Sequence, residues 1–150
     1  AEELQADQHA IEIVENYMDD DIDLILAVGA GTVHDISRYV AFQYKIPFIS
    51  VPTAASASRF VSQMAAMTWN GQARKIQAEA PIAVYADTDI FANAPAELNM
   101  TGLSRLNDNK IYPTEIRISE TQIAQGEEDA CEKLMYALIQ AGLAGQSEGD

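Results

Sequence analysis

The sequence predicts an α/β domain: a parallel sheet with helical crossovers and an inserted β-hairpin, followed by C-terminal helices. Three observations carry that prediction. Apolar runs of strand length occur at residues 24–28, 48–51 and 82–86, and stretches of helical composition separate them. Strands that alternate with helices favour right-handed parallel crossovers and a layered α/β arrangement. Between the second and third runs stands Asn70-Gly71, a dipeptide that accepts positive φ readily and is the strongest short hairpin signal.

Each element has its own local cause. Ala10, Ile13, Val14, Tyr17 and Met18 recur at helical spacing and predict an apolar helix face, closed by the solvated acids Asp19, Asp20 and Asp21. Residues 24–28 are continuously apolar, as in a strand covered on both faces. Gly29 and Gly31 free the backbone to turn, and residues 32–41 have the composition of a helix. A helix that opens directly on such a turn presents N–H groups without intrahelical partners, so a phosphate can take those hydrogens and the positive helix end together. A tight turn that binds nothing fits the same short glycine pattern.

Pro47 stops this helix, and residues 48–51 make a second strand that ends at Pro52. Residues 65–69 and 72–77 are the arms of the hairpin, and Pro95 suits the first turn of a short helix. Cys131, Leu134, Met135, Leu138, Ile139 and Leu143 form one stripe of a last helix, with Glu127, Glu128 and Asp129 where the dipole favours acids. That helix reads as a packing element. The polar tail at 145–150 is expected to fray.

Composition bounds the function. A chain of 150 residues is about one domain long. Its formal charge of −14 argues against nucleic acid and against an anionic membrane surface, both of which reward clustered Lys and Arg. Cys131 is the sole cysteine, so no intramolecular disulfide forms and a reducing compartment fits. The amino end AEELQADQH lacks a leader's basic start and apolar middle. No run approaches the ~20 apolar residues of a membrane span. These features lead to the expectation of a cytoplasmic protein.

Four ordered segments add a resemblance: GAGTVHDISRYVA (29–41), ISVPTAAS (49–56), WNGQARKIQAEAPIAVYADTDIFANAP (69–95) and EKLMYALIQAGLA (132–144). Together they resemble the iron-containing alcohol dehydrogenase and dehydroquinate synthase superfamily, and within it the glycerol-1-phosphate dehydrogenase branch. The resemblance implies a Rossmann-like sheet. It further implies that residues 1–104 are a partial nucleotide-binding α/β domain and residues 105–150 the remnant of a helical metal and substrate domain. Between residues 106 and 115 the chain departs from the helix that the family continues, so it reads as two family segments joined by a shortened link.

The resemblance also assigns chemistry. Gly29, Gly31 and Thr32 match the family's turn for the pyrophosphate of NAD or NADP, and Asp35 matches the acid that closes that motif. Thr53 and Ser56 match positions lining the nicotinamide and its ribose. The implied reaction interconverts sn-glycerol 1-phosphate and dihydroxyacetone phosphate, a small phosphorylated polyol and its ketone, with a divalent metal, usually zinc, as Lewis acid. Here the sequence departs from the pattern. Ser58 and Arg105 occupy family acidic positions, and a guanidinium has no lone pair for a metal. The family histidines of the metal site match nothing in this chain, and His9 and His34 carry no ligand spacing, reading as a surface residue and a turn residue. No metal ligand is therefore assigned, zinc is not expected on this chain, and the catalytic residues stay unknown.

Other residues have plainer readings. Asp87 and Asp89 are too few for calcium and read as a helix cap. Trp69, Met64 and Met67 read as hairpin packing, and Arg74 with Lys75 as a solvated hairpin edge. Two function classes remain, an NAD(P)-dependent oxidoreductase and a noncatalytic nucleotide-binding or packing fragment; a dehydroquinate synthase-like lyase shares the cofactor fold, although TAAS and ANAP favour the dehydrogenase branch. A three-stranded sheet without the family's earlier strands has an open edge, so self-association is expected.

Overall fold

The carboxylate of Asp7 accepts the Ala10 N–H at 2.9 Å, which caps α1 (Gln8–Glu15). The computed structural model describes residues 4–56, 58–105 and 136. After α1 follow β1 (Ile25–Gly29), α2 (Gly31–Tyr44), β2 (Phe48–Pro52), a 3-10 turn (Ser58–Val61), β3 (Met64–Trp69), β4 (Gln72–Gln77), β5 (Ala83–Val84), α3 (Thr88–Asn93) and α4 (Ala96–Arg105). The expected link and last helix lie outside the described residues, apart from Tyr136, which is helical.

The parallel sheet runs β1-β2-β5, with Ile25 opposite Phe48, Gly29 opposite Pro52, and Ile49 opposite Ala83. All three expected strands are present, although the third keeps only two ladder residues. The hairpin is also as expected: β3 and β4 pair antiparallel around Asn70 (φ 50°) and Gly71 (φ 74°), both left-handed as a tight two-residue hairpin requires. Helix α2 ends on Lys45, itself left-handed (φ 55°), two residues before Pro47. The chain thus turns out of the helix before the proline forbids its continuation.

Two expectations need correction. Strand β1 is not covered on both faces: Ala27 is fully buried under α2, while Leu26 and Val28 on the other face are 60% and 57% exposed. A short apolar run does not reveal which of its faces a neighbour will cover, and α2 covers one. The apolar face of α1 is also shifted. Ala10 and Ile11 are buried, Val14 and Met18 pack partly against the core, and Ile13 and Tyr17 are exposed. Because α1 stops at Glu15, Tyr17 leaves the helical register that would have turned it inward.

Helix α2 holds the layers together. Ile36 and Val40 meet Ala10, Ile11, Ala65 and Met67 in one cluster, and Ala41 meets Ala27 and Phe48 in another. Tyr39 packs on Trp69 with ring centroids 5.6 Å apart, which gives Trp69 its expected packing role. Arg38 is wholly buried, and its guanidinium donates to the Asp35 carboxylate at 3.1 Å and to the Met64 carbonyl at 3.3 Å over the face of Phe48. The same Asp35 oxygen accepts the Ala66 N–H at 3.1 Å, so the ion pair joins α2 to β3. Removing one partner of a buried pair strands the other charge. Asp35→Ala is therefore expected to cost about 3–5 kcal/mol in urea unfolding, and Asp35→Asn, which keeps an acceptor for Ala66, less.

Candidate functional site

The carboxyl ends of the parallel strands are where ligands bind in open α/β sheets, and here that end is built around Gly29. Its φ is +154°, and an added Cβ would lie 2.9 Å from Cγ2 of Val33, closer than such atoms approach. Glycine alone lets α2 begin so near the strand. Ala30 is the extended N-cap, with no side-chain bond to the helix it opens. An alanine cap leaves the first N–H groups of α2 to be satisfied from outside, the condition under which a helix start receives an anion.

The loop after β2 is pinned to the same place. The Thr53 N–H donates to the Gly29 carbonyl at 3.0 Å. Two residues later, the Ala55 N–H donates to Oδ1 of Asn99 at 3.0 Å, and Nδ2 of Asn99 donates to the Phe91 carbonyl at 2.8 Å. Asn99 on α4 therefore clips the loop to the end of α3. Thr53 lines a cleft of about 450 Å³ with Asp89, Ile90, Asn93 and Leu98. Thr32 and Asp35 line another of about 330 Å³ with Ala66 and Thr68 of β3. A larger cavity of about 650 Å³ lies beside Lys45, Pro47, Phe48 and Ile82. It is at the opposite, amino ends of β2 and β5, away from the glycine turn.

The structure thus joins Thr53 to Gly29, with Gly31 and Thr32 following at the start of α2, while Thr32 and Thr53 line different clefts. Asp35 lies one turn into α2, with its carboxylate engaged by Arg38 and the hairpin rather than open at the turn. Ser56 follows three residues after Thr53 on the same loop. Ser58 opens the 3-10 turn and Arg105 closes α4, and the side chains of both lie outside the described residues. Asp87 caps α3 by accepting the Asp89 N–H at 2.9 Å, as expected, and Arg74 and Lys75 are exposed. His9 is exposed on α1. Among the described residues no three His, Cys, Asp or Glu side chains gather to hold a metal, and no helix is long and apolar enough to cross a membrane.

His34 requires a correction. It is not a turn residue but a buried member of the first helical turn, 1% exposed. Nδ1 lies 2.9 Å from the Ala30 carbonyl and Nε2 lies 2.7 Å from the Ser50 hydroxyl. Burial pushes the imidazole below its ordinary pKa, Arg38 adds to that lowering, and the bond to Ala30 opposes it. Neither His34 nor Ser50, Arg38 or Asn99 stood out as a site residue in the sequence. The only signal was a polar residue at an inward position of an apolar strand or helix.

A strand, a glycine turn and an uncapped helix at the carboxyl ends of a parallel sheet define a Rossmann-like α/β protein. The description iron-containing alcohol dehydrogenase matches residues 2–95, and the chain belongs to that family. A curated relative from Geobacillus thermodenitrificans, named glycerol-1-phosphate dehydrogenase (NAD(P)+), is 37% identical over an alignment of 169 residues that takes in 95% of this chain and 42% of the relative. The chain therefore spans about two fifths of that relative's length. Among solved structures, a probable glycerol dehydrogenase from Sinorhizobium meliloti superposes with a TM-score of 0.61 at 25% identity, over 66% of this chain and 29% of that one. An iron-containing alcohol dehydrogenase from Thermotoga maritima gives 0.65 at 20% identity, over 95% and 50%, and shares the fold.

Strain at the turn is measurable. Gly29→Ala places a side chain in a left-handed conformation against Val33 and is expected to cost roughly 1–3 kcal/mol by chemical denaturation. A variant as stable as the parent would show that the turn relaxes freely.

Proposed function

We propose that this chain is the cofactor-holding part of an NAD(P)-dependent oxidoreductase that interconverts sn-glycerol 1-phosphate and dihydroxyacetone phosphate, and that turnover is impaired in the chain itself. The observation that carries the reading is the uncapped start of α2 at Gly31, pinned through Gly29 to the loop of Thr53. In this proposal the opening N–H groups of α2, at Gly31 and Thr32, hold the cofactor pyrophosphate. The Thr53 to Ser56 loop, held by Asn99, faces the nicotinamide and its ribose. A nicotinamide cofactor held there would supply the hydride acceptor for oxidation and the hydride donor for reduction, the hydroxyl proton being exchanged with solvent. The name of the Geobacillus relative supports the cofactor and glycerol 1-phosphate as substrate.

The same reading makes residues 1–104 a partial nucleotide-binding domain and residues 105–150 part of a helical one, in a cytoplasmic protein. Strand β1 is an outer strand of the described sheet, and its exposed Leu26 and Val28 support self-association along that side. A second reading, nucleotide binding without turnover, draws on Ser58 and Arg105 at the family's acidic positions.

Calorimetry tests the cofactor assignment. Gly31→Val is expected to abolish NAD+ or NADP+ binding while leaving the thermal transition in place, since a branched side chain blocks close approach of a phosphate. Unchanged affinity would remove the glycine turn from the site. For turnover, the chain is expected to form no NADH from glycerol 1-phosphate and to bind no stoichiometric zinc by elemental analysis. Arg105→Asp alone is not expected to restore either, since catalytic zinc uses about three protein ligands. Robust zinc-dependent oxidation by the parent would overturn the reading of Arg105.

A further inference from the structure

The buried His34 has a single consistent protonation state. Ala30 offers a carbonyl oxygen, which only accepts, so Nδ1 at 2.9 Å must carry a proton. Nε2 faces the Ser50 hydroxyl at 2.7 Å, and a hydroxyl can serve as donor or acceptor. Three groups border the ring from the elements packed on it. From α2 comes Arg38, whose guanidinium is engaged by Asp35 and Met64; from β2 comes the neutral Ser50; and the 3-10 turn presents the Phe60 ring, with centroids 6.5 Å apart and the planes at 70°. Burial and a nearby cation both disfavour an imidazolium. Ser50 therefore donates to Nε2.

The position of this ring matters more than its burial. The Ala30 carbonyl receives both the His34 backbone N–H at 3.2 Å and the ring Nδ1–H. Ser50 sits on the middle strand, opposite Ala27 on one side and Val84 on the other. Three residues later Thr53 donates to Gly29. Gly29, Ala30, His34, Ser50 and Thr53 thus form a closed circuit around the glycine turn. Tilting the start of α2 would break the ring's bonds at one end or the other.

We infer that His34 is a positioning residue, which as a neutral imidazole ties Ala30 to Ser50 and so sets the direction in which the first N–H groups of α2 point. Its consequence for cofactor affinity rests on the function proposed above; the positioning itself does not. Protonation at Nε2 would place a buried positive charge beside Arg38, and that cost would loosen the packing around the ring, whichever way the Ser50 hydroxyl then points. The cradle should therefore be intact above the ordinary imidazole range and weaken as pH falls through the lowered pKa of His34.

Nitrogen NMR of the imidazole, amide spectra of Gly31 and Thr32, and NAD+ calorimetry on the full chain test this. At neutral pH the ring is expected to be neutral with its proton on Nδ1. In His34→Leu the Gly31 and Thr32 amide resonances should move, and NAD+ affinity should fall about tenfold, the worth of one lost hydrogen bond. His34→Asn, whose shorter amide can replace the bond to the Ala30 carbonyl but not the one to Ser50, should recover little of either. The parent's affinity should fall with acid as the ring titrates, a limb absent in His34→Asn. A proton on Nε2 at neutral pH, or amides and affinity unmoved in His34→Leu, would overturn the inference. If His34→Leu fails to fold, the ring tautomer and the pH profile of the parent against His34→Asn decide. If the parent binds no NAD+ while ring and amides behave as stated, the positioning role stands and the proposed function falls.

Discussion

Burying a guanidinium is tolerable only when its charge is compensated, and Arg38 is engaged by groups from three different elements. Asp35 shares its own helix, Met64 opens β3, and the face of Phe48 belongs to β2. The pair therefore sets where α2 lies relative to both the sheet and the hairpin. The apolar clusters on either side of α2 supply the bulk of the burial, but they are non-directional. The ion pair and its bond to the Ala66 amide supply the geometry.

Because α2 is fixed in this way, its start is fixed as well, and the ligand-facing end of the sheet inherits that placement. Gly29 permits the approach, Ala30 leaves the helix uncapped, and Thr53 and Asn99 hold the neighbouring loop alongside. Rigid elements thus carry the backbone donors, while the loop that completes the cleft is held through its main chain. This division suits a site that must grip a charged group tightly and still offer a shaped surface to the rest of a ligand.

Much of the scaffold was legible in the sequence because its signals are local. Asn70-Gly71 can scarcely form anything but a tight turn between two strands, and the glycines after an apolar run mark a strand-to-helix junction whatever surrounds them. Asp87 announced its cap for the same reason. What escaped reading depends on contacts distant in the chain. The bond between His34 and Ser50 spans sixteen positions, and that between Ala55 and Asn99 forty-four. The exposed face of β1 was misread because Leu26 and Val28 have the same composition whether or not a layer covers them. The ends of α1 decided its buried face, and a periodic pattern says little about where a helix stops.

The space at Gly29 has a meaning for variation at this position. Every other residue carries a Cβ, and the gap between this turn and Val33 does not admit one without movement. A smaller residue at Val33 in α2 would relieve that contact but not the positive φ. Position 29 is thus an isolated point in sequence space: any single step away from glycine is uphill, and a compensating change at Val33 still leaves the backbone strain in place.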